Sequence, residues 1–309
     1  MRPGLLADLP LYRKFLIVAF LVMLGTITFS MVASLIISGI WGLNANELLV
    51  AEGTTHVNAM KLLVLLGTGI GAFTIPSLVG AFLLFRSPME ELGLSRPQGG
   101  GSTVMFAVVA LVFSLPLINF MVMLNEYMSL PDAMSGIEQW MKEAEEEMRV
   151  VTESMLLVQS PTDLLLNLLV IAAVPAIAEE LLFRGLLQNL FCKLTNNKHA
   201  AIWITAALFS AIHMQFYAFL PRMVLGAAFG YMLVWSGSLW LPIAAHFANN
   251  GFAVLVSYMN QNAAAPLFDE NEVGKGSADI WLVLVSMAVV GFCFYQIKKR
   301  SLASPGGAS

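Results

Sequence analysis

The stretch "AIAEELLFRGLL" (residues 176–187) places three charged side chains, Glu179, Glu180 and Arg184, inside an otherwise apolar segment. The apolar run around it, residues 164–191, is long enough to cross a bilayer, which takes about 20 mostly apolar residues. A charged side chain at the centre of a membrane helix costs roughly 2.5–3.5 kcal/mol on insertion scales. Each of the three charges therefore needs either a partner or a function.

The composition places the whole chain in the membrane class. Of its 309 residues, 58% are hydrophobic and 12% are charged, whereas an average soluble domain carries about 25% charged residues. The mean hydropathy is +0.77. We therefore predict an all-α, polytopic protein of the cell membrane, with membrane lipid as its surroundings. A net charge of −4 and the lack of a dense basic stretch argue against nucleic acid as a partner.

Eight apolar runs are candidates for membrane spans. They cover residues 15–41, 60–85, 103–123, 164–191, 199–216, 219–235, 239–258 and 280–297. They divide a single membrane domain into an N-terminal three-span segment (1–123), a connecting segment (124–161), a core segment (162–260), and a final part with an outer loop, the last span and the tail (261–309). In the connecting segment, "GIEQWMKEAEEEMRVVTESML" has apolar residues at helical spacing. It predicts an amphipathic helix that either connects two spans or controls lateral entry of a substrate.

Lysine and arginine in the loops predict the orientation. With eight spans, both termini lie on one side, which carries ten lysines and arginines against five on the other side. Because cytoplasmic loops are enriched in these residues, both termini are predicted to be cytoplasmic and residues 124–161 to lie outside.

Helix geometry separates the charges of the opening stretch. Residues four apart share a helix face, so Glu180 and Arg184 can pair. Glu179 is rotated by about 100° from Glu180 and is left over. Pro175, four residues earlier, cannot donate a helix hydrogen bond, which predicts a local kink.

Further polar residues stand on two later spans. His213 lies on the fifth span, four residues after Phe209, and His246 and Asn250 lie four apart on the seventh. Together with Glu179 they come from three helices and could converge on one polar pocket.

Two kinds of chemistry suit this set. In the first, Glu179 and His213 hold a water and take its proton, while His246 and Asn250 stabilise the resulting oxyanion. In the second, Glu179, His213 and His246 bind a divalent metal such as zinc, which activates the water. The sequence does not separate the two, and it predicts no other cofactor. The H-E-x-x-H, G-x-G-D and G-x-S-G motifs of other intramembrane proteases are absent.

Three motifs in order, "EELLFR" (179–184), "FSAIH" (209–213) and "HFANN" (246–250), resemble those of the CPBP family, which holds the type II CAAX prenyl endopeptidases and the Abi-like bacteriocin-processing and immunity proteins. The resemblance implies an eight-helix intramembrane endopeptidase whose site is reached from the cytoplasmic side. It implies Glu179 as the general base with His213, and His246 with Asn250 as the oxyanion hole. It also implies Glu180, Arg184 and Phe209 as supporting residues, and a protein or peptide substrate that is lipidated in the eukaryotic members.

A different class of function remains open. Buried glutamate, histidine and arginine also build proton relays and ion paths, so a transporter or an immunity-type binding partner could use the same cluster. Neither inverted repeats nor paired broken helices are visible in the sequence, which disfavours the transporter.

Overall fold

A computed structural model describes residues 3–44, 47, 54–127, 130–261, 273–276 and 279–303. Most of the predicted outer loop of the last segment, residues 262–272, lies outside the described residues.

The described residues form helices and no β-strand, which confirms the all-α prediction. We number the helices in chain order. They are α1 (Leu11–Trp41), α2 (54–84), α3 (Pro88–Glu91), α4 (Gly101–Phe113), α5 (Leu115–Glu126), α6 (Ser135–Leu156), α7 (Pro161–Thr195), α8 (Lys198–Ala211), α9 (Phe219–Ser236), α10 (Trp240–Gln261) and α11 (Ile280–Leu302). The amphipathic helix predicted in the connecting segment is present as α6.

Five of these helices, α1, α2, α7, α9 and α11, are long and apolar enough to cross a membrane, and the bent pair α4–α5 makes a sixth. The predicted count of eight is not confirmed. Helix α8 has 14 residues, and at 1.5 Å per residue it extends about 21 Å, less than the roughly 30 Å hydrocarbon core. Helix α10 is long enough with 22 residues, but His246, Asn249 and Asn250 lower its apolar character.

Helix α7 lies at the centre of the bundle. Its residues Leu181 to Leu186 are all buried, whereas α1 is largely exposed at the edge. A helix that is apolar on all sides is stable where other helices or lipid surround it. Two stretches of α7, Leu168–Ala173 and Leu181–Leu187, are π-helical and stand on either side of the α-helical turn Val174–Glu180. Such π segments are frequent at functional sites, and these two rotate the side chains of the turn relative to a regular helix.

Small residues let α9 approach α7 and α8 closely. A Cβ on Gly226 would lie 3.2 Å from Arg184 Nη2, and one on Gly230 would lie 2.7 Å from Gln188 Oε1. Close backbone approach through glycine is a common way to pack membrane helices. It brings the backbone of α9 within hydrogen-bonding distance of the polar side chains of α7.

Candidate active site

The ion pair expected between Glu180 and Arg184 is present and fully buried. Arg184 Nη1 lies 2.9 Å from Glu180 Oε1, and the two side chains are 1% and 0% exposed. Arg184 Nη2 donates to the backbone carbonyl of Gly226 at 3.1 Å. The guanidinium also lies over the ring of Phe209, 4.3 Å from its centroid. The charge of Arg184 is thus balanced by a carboxylate, a carbonyl and an aromatic face.

His246 contacts both glutamates, which the spacing argument did not predict. Its Nδ1 lies 3.0 Å from Glu180 Oε1, and its Nε2 lies 3.9 Å from Glu179 Oε2. Because a carboxylate oxygen accepts, the first contact assigns the Nδ1 proton and leaves Nε2 facing Glu179. The imidazole stacks on Phe229, with ring centroids 5.1 Å apart. Glu180 therefore orients His246 as well as neutralising Arg184.

His213 approaches Glu179 from the opposite helix. Its Nδ1 donates to the carbonyl of Phe209 at 2.7 Å, which leaves Nε2 at 4.0 Å from Glu179 Oε2. The ring meets Phe209 edge to face, with centroids 5.0 Å apart. Met214, the next residue, has a left-handed φ of +54° and lies just beyond the end of α8. His213 thus lies just after the end of α8, with Nδ1 bonded to the Phe209 carbonyl and Nε2 facing Glu179.

The loop that follows His213 is held by α5 and α6. Asn125 Nδ2 donates to the carbonyl of Phe216 at 2.9 Å, and Trp140 packs on the ring of Phe216 at 5.2 Å. Glu145 Oε2 accepts from the backbone N–H of Tyr217 at 2.9 Å. Helix α6 therefore packs against the loop beside His213 instead of standing apart as a solvated connection.

Glu179 lies where the two imidazoles meet. Its side chain is 13% exposed, and its Oε2 is buried without a hydrogen-bond partner among the described residues. The distances of 3.9 and 4.0 Å to the two Nε2 atoms exceed a direct hydrogen bond. Polar contacts of this length are commonly bridged by a water. The geometry thus leaves a carboxylate oxygen and two ring nitrogens around one small polar space.

Asn250 has a partner that the sequence did not reveal. Its Nδ2 donates to the carbonyl of Ile171 at 3.0 Å. That carbonyl stands four residues before Pro175, which has no N–H to donate to it. Asn249 Nδ2 in turn lies 3.2 Å from Asn250 Oδ1. Asn250 therefore ties α10 to the proline-containing turn of α7, and one of its two amide hydrogens remains for another acceptor.

A cavity of about 440 Å³ opens beside these groups. It is lined by Glu179, His213, His246 and Asn250 from the predicted set, and Phe209 is also part of its wall. Part of the remaining wall comes from outside the predicted core segment (162–260): Leu111, Leu115, Ile118 and Val122 of α4 and α5, and Thr152 and Leu156 of α6. Pro221 and Arg222 of α9 also line the cavity and lie within that segment. The sequence signal that could have identified Arg222 was a charge at the edge of an apolar run.

The proposed zinc ligands do not form a ready metal site. Within the described residues, no group of three or more His, Cys, Asp or Glu side chains is arranged to hold a metal ion. Two ligand atoms of a tetrahedral zinc, each about 2.0–2.1 Å from the metal, stand about 3.3–3.4 Å apart. Glu179 Oε2 is 3.9 and 4.0 Å from the two Nε2 atoms. As they stand, the three residues fit a hydrogen-bonded water better than zinc.

Comparison with known proteins identifies the segment that carries these residues. Over 76 residues the chain is 33% identical to the uncharacterized protein YpbD of Bacillus subtilis (strain 168), a match that covers 23% of this chain and 35% of that relative. The match thus spans about a third of the length of that relative. No solved structure matches the chain. Residues 161–252, from the start of α7 to the middle of α10, match the family described as Type II CAAX prenyl endopeptidase Rce1-like. All three motifs fall in that range, so the residues of the candidate site lie in the part of the chain that is similar to this family.

Proposed function

We propose that the protein is an intramembrane endopeptidase that hydrolyses a peptide bond of a protein or peptide substrate. The single observation that carries the proposal is the approach of two imidazole Nε2 atoms to the unpartnered Oε2 of Glu179 at the wall of a cavity. The Rce1-like match over the same residues supports it.

The proposed reaction begins with a water between Glu179 Oε2 and His213 Nε2. Both atoms are acceptors in the assigned tautomer, so they take the two water hydrogens and leave a lone pair for attack. As the oxygen adds to the substrate carbonyl carbon, its proton passes to Glu179. The carbonyl π bond breaks to give an oxyanion. When the tetrahedral intermediate collapses, the C–N bond breaks and the protonated Glu179 returns the proton to the leaving nitrogen.

The oxyanion needs hydrogen-bond donors. In this proposal His246 acts as an imidazolium that has taken its second proton from solvent before the substrate binds. Its Nδ1–H donates to Glu180 Oε1 at 3.0 Å, and its Nε2–H donates to the oxyanion. The second amide hydrogen of Asn250 is the other donor in this proposal. Donors held in place before the reaction are worth roughly 2.7–4 kcal/mol each in comparable sites.

The test compares Glu179→Gln with wild type and with Glu147→Gln, an exposed glutamate of α6. Each purified protein is incubated with a lipidated CAAX-type peptide, and native substrates are sought as uncleaved proteins that accumulate in membranes of cells expressing Glu179→Gln. We expect Glu179→Gln to lose at least a hundredfold in cleavage rate and Glu147→Gln to retain the wild-type rate. Full activity of Glu179→Gln would overturn the mechanism.

The metal-dependent mechanism is the alternative for the same residues, Glu179, His213 and His246. It is separated by measuring the metal content of purified active protein and the effect of chelators on cleavage. A non-enzymatic binding or transport role is the other alternative. It predicts that Glu179→Gln accumulates no uncleaved protein.

We also propose that both termini are cytoplasmic, because of the lysine and arginine distribution. The cavity is lined by α5, the end of α6 and the start of α9, which belong to the half of the bundle that holds residues 124–161. With cytoplasmic termini, substrate would then enter from the outer side, and not from the cytoplasmic side that the family resemblance implies. Cytoplasmic termini and substrate entry from the cytoplasm therefore exclude each other. Labelling of introduced cysteines from each side of the membrane decides between them.

A further inference from the structure

Arg222 is the one lysine or arginine among the described residues of the cavity wall, and the proposed reaction does not use it. Its Nη2 donates to Gln215 Oε1. Its Nη1 is buried and has no hydrogen-bond partner in the described part of the chain. A guanidinium carries five N–H donors, and a buried charged donor without an acceptor is costly. Arg222 therefore offers unused donors beside the candidate site.

The neighbouring carboxylates are not paired with Arg222. Glu179 and Glu145 both act on it electrostatically. Neither carboxylate forms an ion pair with its guanidinium. The contacts of Glu179, at up to 4.0 Å, are instead with the two histidines. Glu145 Oε2 already accepts from the backbone of Tyr217 at 2.9 Å. The acceptor that Arg222 lacks is thus not supplied by these side chains.

The position of Arg222 indicates which kind of chemical group its guanidinium contacts. It is the fourth residue of α9, directly after the loop that carries His213, whereas Glu179 stands on α7. The wall shared with them is apolar, with Leu115, Ile118 and Val122 from α5. A peptide with apolar side chains can line this wall while a negative group reaches the guanidinium. The planar fork of arginine matches a carboxylate through two parallel hydrogen bonds.

We propose that Arg222 binds a carboxylate of the substrate peptide and so selects substrates that present one close to the cleaved bond. This inference rests on the proposed peptidase function and names a specificity residue for it. The carboxylate comes either from the C-terminus of the peptide or from an aspartate or glutamate side chain. Both sources share the same chemistry, and the experiment separates them.

The test measures binding in the inactive Glu179→Gln background, so it does not depend on turnover. The probes are dye-labelled versions of one lipidated CAAX-type peptide, made as the C-terminal acid or amide, and with glutamate or glutamine at one internal position. Binding is followed by fluorescence anisotropy for Arg222 and for the Arg222→Gln and Arg222→Lys variants. Arg149→Gln, which changes an exposed arginine of α6, is the matched control. Size-exclusion profiles and unfolding temperatures verify that each variant is folded.

We expect the protein with Arg222 to bind its preferred peptide about 10- to 100-fold more tightly than the version without the carboxylate, the range for a charge-assisted hydrogen bond. The preference should vanish in Arg222→Gln, persist partly in Arg222→Lys and remain complete in Arg149→Gln. An acid-over-amide preference assigns the C-terminus, and a glutamate-over-glutamine preference assigns the side chain. Equal losses for all peptides in Arg222→Gln, or no binding of any peptide, would overturn the inference. If Arg222-dependent binding is found but the active protein cleaves nothing, the peptidase function fails and the carboxylate site stands.

Discussion

Replacing Arg184 with methionine tests the buried ion pair at the centre of the fold. Methionine keeps an unbranched side chain in the core but removes the guanidinium, which makes the 2.9 Å contact to Glu180, the 3.1 Å hydrogen bond to the Gly226 carbonyl and the contact with Phe209. Glu180 is then left as a buried carboxylate. Removing one partner of a buried pair typically costs about 3–5 kcal/mol.

We expect the lower end of that range, about 3 kcal/mol. His246 Nδ1 remains 3.0 Å from Glu180 Oε1 and can still stabilise the carboxylate. A loss of this size lowers the folding equilibrium constant by a factor of roughly 100 to 200. The energies of the three contacts are not added, because the same guanidinium makes all of them.

The assay is reversible denaturant unfolding in detergent micelles, with Arg86→Met as the matched control. Arg86 also pairs with a carboxylate, Asp8 at 2.6 Å, but the two side chains are 74% and 87% exposed. Exposed pairs contribute about 0–1 kcal/mol, so the control should change little. The double variant Glu180→Gln/Arg184→Met should recover part of the loss, because no buried charge is left unpaired. A loss below about 1 kcal/mol for Arg184→Met, equal to that of the control, would refute the reasoning.

Three further predictions follow from the packing, the topology and the proposed chemistry. Gly230→Ala should destabilise the protein by about 1–3 kcal/mol in the same unfolding assay, because the added Cβ would lie 2.9 Å from Cγ2 of the β-branched Ile202 as well as 2.7 Å from Gln188 Oε1; an unchanged stability would show that these neighbours or α9 can move away. In a background without native cysteines, Glu147→Cys should react with an impermeant thiol reagent from outside intact cells and Ala303→Cys only after permeabilisation, and the opposite pattern would reverse the proposed orientation. Prolonged dialysis against a chelator should leave the cleavage rate within about twofold of the untreated enzyme if water is activated without a metal, whereas loss of activity that zinc restores would favour the metal mechanism.

Local features of the site could be predicted because they depend on residues close in sequence. The pairing of Glu180 with Arg184 was predicted from their spacing of four residues. The pair is present although Arg184 lies in the π-helical stretch Leu181–Leu187. The neighbourhood of Phe209 and His213 follows from the same spacing. The number of membrane-crossing helices was harder to predict, because the length of α8 depends on where the helix ends, at Ala211, and not on hydropathy alone.

Convergence of the distant polar residues on one pocket was predicted, but the individual partner of each residue was not. His246 meets Glu180 across 66 positions, and Asn250 meets the Ile171 carbonyl across 79. In the first contact His246 shares the Oε1 of Glu180 with Arg184. In the second, Asn250 donates to a carbonyl that Pro175 cannot serve. A motif names such residues but does not say which partner each one takes.

Hydropathy and residue spacing were enough to predict the all-α membrane class and to single out Glu179, His213, His246 and Asn250, which line one cavity in the structure. Hydropathy and helical periodicity are sums over neighbouring residues, so they can be read along one chain. The packing of the helices was needed to show that Glu180 contacts both Arg184 and His246, that Glu179 Oε2 has no hydrogen-bond partner among the described residues although two imidazoles face it, and that Arg222 lines the same cavity. Those results depend on how α7, α8, α9 and α10 pack, because in a low-dielectric interior each polar group must find its partner on whichever helix is nearest.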